Sequence, residues 1–460
     1  MIDRSPDWIA EAVGGRIEVA HSEASGPRRA VVDSRLVEPG DLFVALPGER
    51  SDGADFAVSA IEAGAWGALV SVERASSIAA ETVLLALSRP PPRGGGEDPP
   101  PAAVIGVTDP LAALAALARA WRRELDCPAI GITGSTGKTS TKDILAALLR
   151  PHLRTHANRE NLNTEIGLPL SILCAERGTE ALVREMAMRG EDQIAELTRI
   201  AEPNVGVVVN VGPVHLELLG TVERVAAAKA ELIRDLPAGA SCVVRAGERL
   251  LAEHLREDLD TLTFGPGGDV SLASFEEGRA EIDARGERIE LELSYTQPHN
   301  LLNTLAAVAA ATAIGVRPEG PVEVAFSSMR GQEVELPSGV TVVNDCYNAN
   351  PMSVRAALEH LAASPAERRL AVLGVMAELG PDAERLHEEV GERAAELGID
   401  VLVTVGPGAR GFARRFGREA HAVEVPEEAA ALLEEIAAPG DRVLIKGSRS
   451  AGLERVLGTI

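Results

Sequence analysis

The stretch "GITGSTGKTSTKD", residues 131–143, decides how the rest of the chain is read. A phosphate-binding loop of the usual pattern runs Gly, four residues, then Gly-Lys-Ser/Thr. Counting back from Gly137-Lys138-Thr139, the first Gly is due at 132, where Ile132 stands, and Gly131 falls one place early. The physical requirement is a tight turn from a buried strand into a helix N-terminus, where backbone N–H groups and the positive end of the helix dipole meet phosphate. Both flanks are present: "AIGIT" reads as a buried strand, and "TSTKDILAALL" has a helical apolar period. Gly134 and Gly137 permit close backbone approach, with Ser135, Thr136 and Ser140 as the small polar residues around them. Lys138 can reach terminal phosphates, and the Thr139 hydroxyl can hold Mg²⁺. An ordinary Gly-rich turn with a surface lysine is the bland alternative. The strand–helix context favours nucleotide.

Outward from the loop the alternation continues. "VGVVVNV" and "CVVRA" read as strands and "VERVAAAKAELIRDL" as a helix between them, which implies a mostly parallel, doubly wound sheet. Upstream, "RRAVVDS", "GDLFVAL" and "WGALVSV" are short strands separated by Gly, Pro and Asp, as in a small α/β unit. "DPLAALAALARAWRREL", with Pro110 in its first turn, is a helix connecting the two. From about residue 317, "VTVVND", "RLAVLGV", "DVLVTVG" and "DRVLIKG" are the strands of a third block. The expected fold is thus α/β in three domains. These are a small N-terminal α/β domain (1–110), a central P-loop domain with the doubly wound sheet (111–316) and a C-terminal Rossmann-like α/β domain (317–460). "SRPPPRGGGEDPPPA", residues 88–102, is too rich in Pro and Gly to pack and reads as a flexible loop. No short internal repeat is evident.

Composition bounds the partners. The 460 residues include 45% hydrophobic and 25% charged, values of an ordinary globular protein, so three domains suit the length. Aromatics are only 3%, so Ala, Val, Leu and Ile must build the cores. A formal charge of −24 argues against nucleic acid or an anionic membrane as partner, while leaving room for an anion in a locally basic cleft. The start, "MIDRSPDWIAEAVGG", lacks a basic segment followed by an apolar run, and no stretch has the length and apolarity of a membrane span. Cys127, Cys174, Cys242 and Cys346 are isolated, without metal-type spacing, and read as thiols in a reducing cytoplasm. The expected chain is a cytoplasmic monomer.

"GSTGKTSTKD" resembles the ATP loop of the Mur ligases, the ATP-dependent amide-forming enzymes of peptidoglycan precursor synthesis. The shortened glycine spacing then looks like a family variant. "DSRLVEPGDLFVALPGERSDGADF" (33–56) looks like the uridine-nucleotide motif of members adding the third residue or the final dipeptide. "NRENLNTEIGLPLSIL" (158–173), "NDCYNANPMS" (344–353), "LGVMAELG" followed by "LHEEVG", and "LIKGSRSAGLE" are similar to the dipeptide-adding branch. These matches run in order from Asp33 to Glu454.

The resemblance implies a reaction: ATP phosphorylates the terminal carboxylate of UDP-N-acetylmuramoyl-tripeptide, and the amine of D-alanyl-D-alanine attacks the acyl phosphate. It also implies two Mg²⁺ ions. Besides Thr139, Glu185 in "ALVRE" matches a metal carboxylate, and His215 in "NVGPVHLE" matches a ligand of the second ion as neutral imidazole. Taken singly, each would read as a solvated acid and a loop histidine. Lys229 in "AAAKAEL" matches a lysine that carries a carbamate in the family, where the helix pattern alone reads as a solvated face. Lys138, Lys229, His215 and Glu185 are therefore the candidate catalytic set. Asn300 and Asn303 match positions near adenine, although helix capping would also explain Asn300. Arg330 matches a phosphate-contacting arginine, and Asp345 a ribose-contacting acid. Ser34, Arg35 and Asn161 are the substrate-side candidates, with a surface arginine equally open for Arg35. Lys446 and Arg449 in "KGSRS" belong to the site or to a surface turn.

The chain departs from the family pattern at Ala54, where His is common, and at Val375, where an acid is usual. "EMAMRG" also stands where "ExGxNxxGE" is frequent. The third-residue-adding ligase is the nearest rival, and "YNANP" counts against it. A regulatory nucleotide-binding ATPase is the rival from another class.

Overall fold

The computed structural model describes residues 3–20, 26–88, 102–159 and 161–458. Apart from its first and last residues, the Pro/Gly-rich segment 88–102 lies outside them. Three sheets follow one another along the chain. The first has five strands, with Ala30–Val31, Leu42–Val44, Gly67–Ser71 and Ala103–Val107 in parallel order and Arg16–Val19 antiparallel at the far edge.

The ten-stranded central sheet begins at one edge with Thr155–Ala157, then Ala181–Glu185, Ala129–Thr133, Val205–Val208, Ser241–Arg245 and Asp260–Phe264, all parallel. Ala129–Thr133 is buried on both faces, as expected for an apolar run in a parallel sheet flanked by helices. The phosphate loop therefore leaves the sheet beside the strands ending in Glu185 and Val208, in the crevice where α/β sheets bind ligands.

Beyond Asp260–Phe264 the sheet continues as an antiparallel meander, Val270–Glu276, Arg279–Ala284 and Glu287–Leu293, which the parallel reading did not foresee. Its turns are Glu277-Gly278 and Arg285-Gly286, every residue with positive φ, the two-residue geometry that matches strand twist. Gly320–Val322 pairs with the last of these strands, so the central sheet runs on to residue 322.

The third sheet has six strands, Gln332–Glu335 antiparallel at one edge and Thr341–Asn344, Arg442–Lys446, Arg369–Gly374, Val401–Val405 and Glu419–Val423 in parallel.

Helix Pro110–Leu125 starts on an Asp109 cap and joins the first two sheets. Its Trp121 is fully buried and donates Nε1–H to the Ala175 carbonyl at 2.9 Å. One apolar cluster runs from Ile9 and Leu42 through Leu182 to Leu402, tying all three sheets together. Among the described residues no helix is long and apolar enough to cross a membrane.

Candidate active site

Gly137 caps helix Lys138–Leu149 with φ +77°, a conformation that side chains resist. A Cβ there would sit 2.5 Å from Asn303 Oδ1, so the glycine also permits the loop to touch the Asn303 amide. The rest of the loop is pinned from below. Ser135 Oγ exchanges hydrogen bonds with the backbone of Gly212, at 3.1 and 2.9 Å, and Thr136 N–H donates to Asn210 Oδ1 at 2.9 Å. Asn210 Nδ2 returns the bond to Thr136 Oγ1 at 2.9 Å. Ser135 and Thr136 thus shape the loop, while Lys138, Thr139 and Ser140 face the cavity with them. The Lys138 ammonium folds back on the Gly134 carbonyl at 2.9 Å. Burial pushes its pKa down, Glu185 opposes that, and Arg330 adds to it.

Glu185 ends its strand one register from the loop. Its Oε2 accepts from the Thr139 hydroxyl at 2.8 Å and its Oε1 from Asn163 Nδ2 at 2.8 Å. Its backbone N–H donates to Asn158 Oδ1 at 2.8 Å. Hydroxyl and carboxylate oxygen converge at the phosphate loop, a donor set fitting a hard cation that completes its shell with phosphate and water. Among the described residues no group of three or more His, Cys, Asp or Glu side chains forms a ready metal cage. The chain's own oxygens therefore suit an ion that arrives with a nucleotide.

His215 stands in the left-handed region, φ +54°, at the start of the short helix Leu216–Leu219. Its Nδ1 hydrogen-bonds Glu378 Oε2, from the loop after strand Arg369–Gly374 of the third sheet. That bond leaves Nε2 free to act as a ligand, the arrangement in which a carboxylate fixes a metal-binding imidazole. Lys229 is buried in helix Val222–Asp235. Desolvation, then the Lys138 charge, pushes its amine well below the usual lysine range. No carboxylate pairs with it among the described residues.

Across the cleft, Arg330 stacks on the Tyr347 ring, 4.1 Å from its centroid, and its buried Nε has no hydrogen-bond partner. Asp345 accepts from the buried Lys446 ammonium at 2.6 Å, and that ammonium also donates to the Asn348 carbonyl at 3.0 Å. Lys446 therefore belongs to the site; Arg449 is mostly exposed at its rim. Asn350, the last asparagine of "YNANP", caps helix Pro351–Ala363 through a reciprocal bond with Ser353.

The loop, Glu185, His215, Asn161, Asn300, Asn303, Arg330 and Asp345 all line one cavity of about 1420 Å³ between the central and third sheets. Asn300 and Asn303 are buried and bonded to each other at 3.3 Å. Lys229 lies behind the lining. Ser34 and Arg35 lie outside this cavity: both sit in a short 3-10 turn of the first sheet, where Arg35 is 85% exposed and paired with Asp33 at 2.6 Å.

Four side chains with no role assigned from sequence complete the site: Asn163, Asn158, Asn210 and Glu378. Glu378 lies inside the quoted "LGVMAELG", and Asn158 and Asn163 inside "NRENLNTEIGLPLSIL", so the motifs pointed at them without assigning a contact. Asn210 carries no local signal beyond its place after a strand.

Residues 31–122 match the Mur ligase family catalytic domain, 132–311 the Mur ligase middle domain and 329–449 the Mur ligase glutamate ligase domain. The UDP-N-acetylmuramoyl-tripeptide–D-alanyl-D-alanine ligase of Mycobacterium bovis is 37% identical, the alignment covering 99% of this chain and 97% of that one. The Bacillus subtilis protein of the same name is 34% identical over 99% and 98%. Among solved structures, the MurF ligase of Thermotoga maritima in complex with ADP superposes with a TM-score of 0.76 at 33% identity, covering 94% of this chain and 96% of that one. MurF of Acinetobacter baumannii reaches 0.84 at 26% identity, over 99% and 98%. Matched by family domains in all three of its sheets and by relatives along nearly its full length, this chain belongs to the Mur ligase family.

Proposed function

We propose that this chain is an ATP-dependent ligase joining D-alanyl-D-alanine to UDP-N-acetylmuramoyl-tripeptide. Its products would be UDP-N-acetylmuramoyl-pentapeptide, ADP and phosphate, in cytoplasmic peptidoglycan precursor synthesis. The observation that carries the reading is the meeting, in one cavity, of loop residues Ser135–Ser140 with Arg330 and Asp345 of the third block, in a chain whose full-length relatives bear that name.

In this reading the backbone N–H groups at the start of helix Lys138–Leu149 receive the nucleotide's phosphates, and the Lys138 ammonium leaves the Gly134 carbonyl for the terminal phosphate. Arg330, stacked and with a free Nε, meets the transferred phosphoryl from the opposite wall. Asp345 holds the ribose and Asn300 and Asn303 border the adenine. Thr139, Glu185, His215 and a carbamate on Lys229 would hold two Mg²⁺ ions, which would supply positive charge against the phosphates. The peptide carboxylate attacks the terminal phosphorus with loss of ADP. The dipeptide amine then adds to the acyl carbon, and phosphate leaves. Asn161, at the cavity mouth, contacts the acceptor, and Ser34 and Arg35 its uridine end. One chain supplies both walls, so a monomer suffices.

The test is phosphate release with each nucleotide-linked peptide acceptor, with and without D-alanyl-D-alanine. Release should require the tripeptide acceptor and the dipeptide together. Release indifferent to peptides, or supported by a dipeptide acceptor with a single amino acid, overturns the assignment.

A further inference from the structure

Among the described residues, Glu378 is the one carboxylate of the third block that reaches a candidate ligand of the central block. Four observations converge on it. Its Oε2 accepts from His215 Nδ1, and its Oε1 lies 3.5 Å from Arg189 Nε, also of the central block. Both ends of the His215 contact are strained: His215 has φ +54° and Glu378 φ +60°, left-handed values that neither residue favours. Strain of this kind persists only where the surroundings over-determine it. The main chains are docked as well, since Glu217 N–H donates to the Glu378 carbonyl at 3.2 Å. Two residues on, a Cβ at Gly380 would lie 3.2 Å from Glu217 Cα, so the two turns touch backbone to backbone.

These contacts have a geometric consequence. His215 sits on a short helical turn, half-buried, and among the described residues its only polar side-chain partner is Glu378. Without that carboxylate nothing polar holds the ring with Nδ1 inward and Nε2 free. The partner arrives only when the third block sits against the central one. We propose that Glu378 is an interdomain latch, a positioning residue that orients His215 only in the closed arrangement and so ties domain closure to assembly of the catalytic site. Arg189, mostly exposed, is a guide for the carboxylate; such exposed pairs hold weakly.

The inference rests on the ligase reading, and its test separates the two. Parent, Glu378→Ala, Glu378→Gln, His215→Ala and the Glu378→Ala/His215→Ala double variant are compared in two measurements. The first is small-angle scattering with and without a non-hydrolysable ATP analogue and Mg²⁺. The parent should contract on adding the analogue, Glu378→Ala should contract less, and Glu378→Gln, whose amide oxygen still accepts from Nδ1, should behave nearer the parent. The second is turnover against Mg²⁺ concentration. Glu378→Ala should lose about 10- to 100-fold in kcat and need correspondingly more Mg²⁺. Added to His215→Ala it should cost less than about twofold more, because the two act through one contact. A purely structural role would lower the melting temperature while leaving contraction and the multiplied effects of the two changes intact, and that pattern overturns the latch. If Glu378→Ala does not fold, the Glu378→Gln and His215→Ala scattering curves decide: contraction equal to the parent's in both overturns it. Should no pair of peptides support turnover, the ligase reading fails, while the scattering still reads the latch.

Discussion

The Thr139 hydroxyl donates to Glu185 Oε2 at 2.8 Å, although 46 residues separate them. Adjacent parallel strands put them there: Ile132 pairs with Glu185, so the carboxylate leaves its strand level with the start of the phosphate loop. Asn163 holds the other carboxylate oxygen, and the pair is aimed before any nucleotide arrives. Thr139→Ala and Glu185→Gln should each lower kcat/KM by about 10²- to 10³-fold, since each weakens the oxygen donor set for the cation that would neutralise phosphate charge. Each should cost only about 1–2 kcal/mol of stability, measured by urea unfolding. Parent-like kcat/KM in either variant would remove the pair from the site.

Gly137→Ala tests the loop itself. The methyl group would meet Asn303 Oδ1 at 2.5 Å and the residue would keep φ +77°, so loop and Asn303 cannot both stay in place. Affinity for an ATP analogue, measured by titration calorimetry, should fall at least about tenfold, and stability by about 1–3 kcal/mol. Gly247→Ala is the control: its φ is +75° but nothing lies within 4 Å of the added carbon. It should show the stability loss without the loss of affinity.

The contrast between Gly137 and Asn303 also marks what the sequence made legible. The glycine announced itself, because loop, strand and helix lie within about twenty residues and their apolar periods are strong. The strands Val205–Val208, Ser241–Arg245, Thr341–Asn344 and Arg442–Lys446 were readable for the same reason: buried parallel strands are short, continuous apolar runs bounded by turn residues. The antiparallel meander 270–293 is less legible, its signal resting on Glu277-Gly278 and Arg285-Gly286 between alternating segments. Glu378 and His215 illustrate a different limit. They are 163 positions apart, and only the docking of one sheet on another makes them partners. Asn210 beneath the loop and Asn163 on Glu185 meet their partners within the central sheet, 74 and 22 positions away, because they follow strands that neighbour their partners' strands.

Lys229 poses a chemical question that its burial sharpens. Burial disfavours the ammonium form of Lys229, and it is the unprotonated amine that attacks CO₂; carbamate formation releases one proton and leaves a carboxylate-like anion where no protein carboxylate stands among the described residues. Lys229→Ala should lose about 10- to 100-fold or more in activity and regain part of it with added short carboxylic acids, such as acetate. The parent supplied with ¹³C-bicarbonate should show a carbamate carbonyl resonance that Lys229→Ala lacks. Full activity in Lys229→Ala, with no response to acids, would refute the carbamate.

His156 offers a test of the edge that supports Glu185. It lies on the outermost central strand, two residues before Asn158, and its Nδ1 faces Arg184 Nη2 at 3.0 Å. Because the guanidinium can only donate, that nitrogen accepts and the proton resides on Nε2. Burial first, then the Arg184 charge, pushes this imidazole from the usual 6.5 down to about 3. Between those values the unfolded chain binds a proton that the folded chain does not, so stability falls as pH drops through this window and is unaffected above it. His299, held at about 4 by burial, adds a second contribution of the same sign. From pH 6 to pH 4 each site should contribute up to about 1.4 kcal/mol per pH unit to the loss, read from urea unfolding at closely spaced pH values. His156→Gln, whose carbonyl can still accept from Arg184, should remove one site's share of that slope and leave His299's. An unchanged slope in His156→Gln would mean that the imidazole is protonated in the folded chain, which the facing guanidinium forbids.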